Sequence, residues 1–441
     1  MQYRQTQTFL ALVGPLALRL LVGCGSGGTT MSNGGTTVTA SFTGTVMPTA
    51  VAYQAGATGT FQPLDLSGSS TSFTLPSGVT SYEFAYMCPV FDPTPPSTYT
   101  SADESVVQAT TSDTTSLSFS CPSTGGNVSV TYDYSAIPGA SLVYLITATS
   151  SEQVIGPPKG NASVSGVPIG TSDIALVVAS ATRAIAIQIQ RGVNVTSSTP
   201  TIAFPPMTAA NMLGTAPVTL QNIPPLASSG GFYTADIYNT YNTPSGLSIP
   251  LFRLFDQSEE SGQSVQSTYP TVPASQAQPG DFYVLQGGGE VTTPDTQLVS
   301  VNVSTTSPAA VSLPLPTPSN SLTAPAAAAF PTFNANLSGF TATGTIVNSS
   351  VIEYQPLRGG TETFYVYTYV TKSWLGTNTT FTVPDLSSVK GFNPAPASGV
   401  RENWLLSSSM GTPLAFPSAI GSFASPTSLQ TLETFGAFTV P

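Results

Sequence analysis

Over residues 40–125 the chain breaks into seven short runs: ASFTGTV, AVAYQ, TFQPLDL, STSFTLP, SYEFAYMC, ESVVQATT and SLSFSC. Turn formers such as AGATG, SGSS and PSGVT separate them. Two of the runs show their period openly. Tyr82, Phe84, Tyr86 and Cys88 alternate with Glu83 and Ala85, and Leu117, Phe119 and Cys121 alternate with serines. A period of two is that of a strand with one apolar face. Runs too short for stable helices, evenly spaced and punctuated by Gly, Pro and Ser, predict an all-β chain folded as a β-sandwich.

The pattern continues beyond this unit. TYDYSAIP, SLVYLITATS, NASVSGVP, DIALVVAS, AIAIQIQ and APVTLQNI predict a second sandwich over 126–226, in which Ile185, Ile187 and Ile189 mark a half-buried strand. FYTADIYNTY, LSIPLFRLF, DFYVLQ and TQLVSVNV predict a β-rich module over 227–313. The Pro- and Ala-rich stretch 314–331 reads as an extended linker. A last β-rich module, 332–441, carries FTATGTIV, VIEYQPL, TFYVYTYV and TTFTVP. Within it, PDLSSVKGF has the Pro-first, Gly-last pattern of a short helix. SFTLPSGVTSYEFAY lines up with SVSGVPIGTSDIALV, an internal repeat, and SFTLP, TFTVP and AFTVP recur as strand ends closed by proline.

Composition removes whole classes of function. The 441 residues contain no histidine, so Ser-His-Asp and Cys-His catalysis and histidine-held metals are excluded. Carboxylate-pair chemistry, as in a carbohydrate-processing enzyme, stays open. Charged residues are 7% and the net charge is −11, without the basic footprint of a nucleic-acid binder. No cofactor is implied. Cys88 and Cys121 both fall on apolar strand faces and are expected to pair as a disulfide in an oxidising compartment.

The first residues are an address. Arg4 precedes an apolar stretch, Phe9 to Leu18, too short to cross a bilayer, as in a secretory signal over 1–23. The stretch ends in Leu21, Val22, Gly23 and Cys24, which resembles the lipobox of bacterial lipoproteins. The resemblance implies lipidation of Cys24 as the first mature residue, and so a membrane partner. Gly25 and Ser26 follow it in place of aspartate, which the same resemblance reads as an outer-membrane or surface location. Residues 24–39, rich in Gly, Ser and Thr, form a flexible tether. The seven-run unit and the further β modules behind it resemble the tandem Ig- or fibronectin-III-like sandwich modules of bacterial surface proteins, with cysteines on the fifth and seventh runs of the first as a departure from the antibody pattern. The resemblance implies a binding or structural role.

Two places stand out as candidate sites. In TFYVYTYVTKSW, Tyr365, Tyr367 and Tyr369 share one strand face, Phe364, Val366 and Val370 the other, and Trp374 follows. Such a row is either a stacking platform for a polysaccharide or surface protein, or a face packed under a neighbouring module. The opposite, more apolar side is expected to be the more buried. In FDQSEESGQS, Asp256, Glu259 and Glu260 form the densest acidic patch, a weak candidate for a cation or for a solvated loop.

Overall fold

The computed structural model describes residues 35–43, 46–90, 101–119, 121, 126–148, 151–154, 157–167, 169–180, 183–196, 201–223, 233–256, 264–292, 296–315, 322–323, 325–335, 345–357, 360–410 and 428–441. The signal, Cys24 and most of the tether lie outside them.

The seven runs of the first unit are seven strands: β1 (Thr37–Phe42), β2 (Ala50–Ala55), β3 (Gln62–Pro63), β4 (Ser70–Thr74), β5 (Ser81–Val90), β6 (Ser101–Thr110) and β7 (Ser116–Phe119). Alternation decides their packing. Val38, Ala40 and Phe42 of β1 point inward while Thr37 and Thr39 face solvent. A small sheet, β4-β1-β7, therefore lies on a larger one, β3-β2-β5-β6, over a core of Phe42, Phe73, Tyr82, Phe84, Tyr86 and Phe119. In the small sheet β1 runs antiparallel to β4 and parallel to β7.

This topology repeats with a period of seven strands. The second module comprises β8 (Gly126–Asp133), β9 (Leu142–Ile146), β10 (Ser151–Val154), β11 (Lys159–Val167), β12 (Gly170–Ala179), β13 (Ala184–Val195) and β14 (Thr201–Ala203). Its sheets are β11-β8-β14 and β10-β9-β12-β13. The third comprises β15 (Gly214–Gln221), β16 (Tyr233–Asn242), β17 (Ser248–Asp256), β18 (Val265–Thr271), β19 (Phe282–Thr292), β20 (Thr296–Thr305) and β21 (Val311–Pro314), in sheets β18-β15-β21 and β17-β16-β19-β20. In each, the first strand is central in the small sheet and parallel to the last. APVTLQNI, read above as the end of the second unit, contributes β15 and opens the third, because it pairs with β18 and β21.

The fourth module departs from the rule once. It holds β22 (Leu322–Thr323), β23 (Thr332–Ala335), β24 (Thr345–Leu357), β25 (Gly360–Thr371), a single helical turn α1 (Lys372–Leu375), β26 (Thr380–Thr382), β27 (Arg401–Met410) and β28 (Ser428–Thr439). The large sheet is regular, but the place of the parallel closing strand beside β23 is taken by β22, which runs antiparallel and comes from before it. Part of the stretch read as a linker is thus a strand. SFTLP and TFTVP occupy the same position. Thr74 pairs with Thr37 and Thr382 with Thr332, hydroxyl to hydroxyl at 3.2 and 2.8 Å. Leu75 N donates to Thr36 O as Val383 N donates to Pro331 O. PDLSSVKGF is no helix. Its Asp385 carboxylate accepts from the Ser387 N–H and hydroxyl, which holds a turn instead.

The large sheets of the third, fourth and first modules join edge to edge into one twelve-stranded sheet. β20 meets β28 antiparallel, and β25 meets β6 in parallel. The register carries one face through the whole assembly: Val301, Leu406, Val366, Val370, Val106 and Ala85 lie on it. The small sheets of the third and fourth modules cover this face, sharing one apolar cluster. Over the first module it is covered by Leu386, Val389 and Phe392 of the β26–β27 loop. The first module's own small sheet sits on the other face.

The second module docks through its large sheet. Leu176 and Val178 of β12 face its own core, whereas Ala175 and Val177 join Ile187 and Ile189 of β13 in the cluster of the third module. Ile187 and Ile189 of AIAIQIQ alternate as expected but point out of their module, whereas Ile185 packs against its own core and Gln188 points in, opposite Leu176. Arg191 fastens the contact. Its guanidinium donates to Asp173 (3.1 Å), to both oxygens of Asp281 (3.1 and 2.6 Å) and to Gln276 O.

Candidate functional site

The parallel pairing of β25 with β6 places the tyrosine row. Tyr365, Tyr367 and Tyr369 lie opposite Asp103, Ser105 and Val107, which lie in turn opposite Cys88, Tyr86 and Phe84 of β5. The row is therefore continuous with the core face of the first module. Its members differ in surroundings. Tyr369 packs against the first module's core. Tyr365 and Tyr367 are half-buried, with ring centroids 6.4 Å apart and planes 6° from parallel. On the reverse side Val366 is 6% exposed and Val370 fully buried, more than either tyrosine, as the alternation predicts. The Phe364 side chain lies outside the described residues.

A rim stands over β5, two strands from this pair. Phe119 of β7 packs on Tyr86 at 4.4 Å, and just beyond it Cys121 is disulfide-bonded to Cys88, with Cα atoms 5.2 Å apart. Both cysteines point inward, as read from their strands. The small sheet of the first module thus ends as a step next to Asp103, and Tyr365 and Tyr367 continue the floor beyond it.

Asp103 gives the step its electrostatics. Burial pushes its carboxyl up to about 6. Burial also raises the Tyr367 and Tyr369 hydroxyls, and the Asp103 charge raises them further. Tyr86 is pushed up to about 12, chiefly by burial, against a hydrogen bond with Ser105. All three hydroxyls stay protonated at neutral pH; Tyr86 and Tyr369 belong to the core, so the step presents the half-open Tyr365 and Tyr367 rings and one carboxyl.

Trp374 does not join the row. It sits in α1, where its backbone N–H donates to Thr371 Oγ1 at 3.1 Å, and it packs on the opposite face with the cluster that holds Val366 and Val370. Residues Glu259 and Glu260 of the acidic patch, and the Asp256 side chain, lie outside the described residues, as does Cys24. Asp103 was not singled out from the sequence. ADESVVQATT puts Asp103 on the same face as Val107 and Ala109, but its meeting with Tyr365 depends on a pairing between strands some 260 positions apart.

The described face behind the row holds buried carboxylates of a different kind. Glu83 accepts from Gln54 Nε2 at 3.3 Å, and Glu104 accepts from Asn393 N at 3.3 Å. Burial pushes Glu83 up to about 7. Their strand positions are offset by four residues, roughly 13 Å, and the β26–β27 loop covers the apolar residues between them. Each has its own polar partner, and neither reaches the tyrosine step on the other face of the sheet.

No protein-family model matches the chain, and no curated protein matches it. Among solved structures it has a likeness to "The Bacillus anthracis TIE protein", at 9% identity, covering 63% of this chain and 49% of that chain, so that it spans about half the other's length. The TM-score is 0.15, and the likeness carries no argument about this protein.

Proposed function

We propose that this is a lipid-anchored protein of the bacterial cell envelope that binds a surface polysaccharide or surface protein, without catalysis, through the step at Tyr365 and Tyr367. The observation that carries the reading is the half-open, near-parallel tyrosine pair two strands from the rim of the first module. Aromatic rings in stacked register, with hydroxyls at their ends, offer both apolar area and hydrogen bonds to a sugar ring or a peptide. The LVGC ending at Cys24 and the tether behind it support the anchoring. Acyl chains contribute about 0.8 kcal/mol for each buried CH2, so several on one cysteine hold a body stably at a membrane. The tandem modules, related to Ig- and fibronectin-III-like repeats in their layered build, serve as a spacer and scaffold for that step.

Two experiments on the full chain test the two halves. Membrane fractionation of Cys24→Ser is expected to move the protein to the soluble fraction or leave it unprocessed; unmodified Cys24 in membrane-bound wild type would refute the anchor. Retention on purified envelope polysaccharide or intact cells is expected to fall at least tenfold for Tyr365→Ser/Tyr367→Ser, with the melting temperature shifted by only a few degrees. Full retention by that variant would refute the binding role of the step.

A further inference from the structure

The step holds a carboxylate that no base among the described residues pairs with. Asp103 is half-buried and faces Cys88 on one strand, Tyr365 on the other, and the hydroxyls of Tyr86 and Tyr367 diagonally. Among the described residues the ion pairs are Lys159 with Asp133 and Arg191 with Asp173 and Asp281, and none includes Asp103. The groups whose charge it perturbs are tyrosines. Burying a carboxylate without a partner is unfavourable, and structures retain such a group where something else supplies the counter-charge.

The neighbours narrow what that counter-charge is. Tyrosine rings carry negative faces, so a cation over them is attracted while an anion is repelled. A metal ion needs several oxygen ligands, and one carboxylate with protonated phenols is a poor set for it. A neutral sugar stacks on the rings and can donate hydroxyl hydrogen bonds to the carboxylate, but it brings no counter-charge. A cation with an apolar shell satisfies the carboxylate and the ring faces together, and the chain's net charge of −11 steers such a ligand inward.

We propose that the step formed by Asp103, Tyr365 and Tyr367 is a binding site for an alkylammonium group carried by the ligand. The proposal rests on the reading of the step as a binding site and names the chemistry it recognises. Two half-open rings and one acid make up the site, and on the far side of Asp103 from Tyr365 the strand position of Cys88 is held by its disulfide to Cys121.

Choline and its neutral carbon isostere, 3,3-dimethylbutan-1-ol, are titrated into the intact protein, followed by calorimetry or by tyrosine ring NMR signals. Choline is expected to bind, the isostere at least tenfold more weakly. Asp103→Asn, which keeps the shape, is expected to lose at least tenfold in choline affinity, and Tyr367→Leu a similar amount, with near-wild-type melting curves for Asp103→Asn. Equal binding of choline and isostere, or unchanged affinity in Asp103→Asn, would overturn the proposal. So would no choline binding at all. If tyrosine-dependent retention on envelope polysaccharide persists in that case, the step is a neutral platform and only this proposal falls; if retention is absent too, both fall.

Discussion

Glu83→Gln is expected to make the protein more stable at neutral pH and to flatten its stability against pH. Glu83 is 4% exposed on β5, beneath the loop that carries Leu386 and Val389, with Gln54 and Gln108 as its polar neighbours and no base among the described residues paired to it. Burial raises its carboxyl from the ordinary 4.5 to about 7, against a partial offset from Gln108. Between those two values the folded chain keeps a proton that the unfolded chain releases, so stability falls as pH rises through the window. Below 4.5 both states are protonated and above about 7 both are ionised, and the difference is constant on either side. At about 1.4 kcal/mol for each pH unit, the loss across the window is on the order of 3 kcal/mol. Glutamine keeps the volume and the hydrogen-bonding reach without the charge. The assay is urea unfolding by circular dichroism at a series of pH values. The variant should match wild type near pH 4.5 and exceed it by up to roughly 3 kcal/mol near pH 8. A shallower slope should survive in the variant below about pH 6, from Asp103, whose carboxyl burial raises in the same direction. Parallel stability curves for the two proteins would refute the reasoning, because they would mean that Glu83 does not hold its proton in the folded state.

Replacing both Cys88 and Cys121 by alanine opens a loop of 33 positions and is expected to cost about 4 kcal/mol in the chain-entropy treatment, measured as a lower urea midpoint; an unchanged midpoint would rule out the bridge as a stabiliser. Arg191→Met leaves the Asp281 carboxylate, 2% exposed at its side chain, without its guanidinium partner. The expected cost is about 3–5 kcal/mol, read as new proteolytic cleavage between the second and third modules; a wild-type cleavage pattern would show that the isoleucine face holds the modules alone.

The strands were legible because each one carries its own period of two. All seven runs of the first unit became strands in the order read, and the repeat linking SFTLPSGVTSYEFAY with SVSGVPIGTSDIALV is structural: both span the fourth and fifth strands of their modules. Cys88 and Cys121 were legible for the same reason, since alternation alone sends both side chains into one core. What could not be read is which strand edges meet. Nothing local in TFYVYTYV says that it pairs in parallel with ADESVVQA, and so neither the fused sheet nor the partnership of Tyr365 with Asp103 was visible. Nor does a row of isoleucines say whose core it enters. Ile187 and Ile189 serve the neighbouring module, because both faces of that sheet are covered. The 314–331 stretch looked like a linker because two residues, Leu322 and Thr323, are too few to show a strand period.

Protection of the tyrosines by the bound ligand tests the central claim most directly. The full chain is treated with a tyrosine-nitrating reagent with and without envelope polysaccharide or cells, and modified peptides are quantified by mass spectrometry. Tyr365 and Tyr367, half-open in the free protein, are expected to react when it is free and to be protected several-fold when it is bound. Tyr82 and Tyr241, fully buried in their cores, are expected to stay unreactive in both states. Equal modification of Tyr365 and Tyr367 in the presence of a ligand shown to be bound would place the binding surface elsewhere and contradict the account.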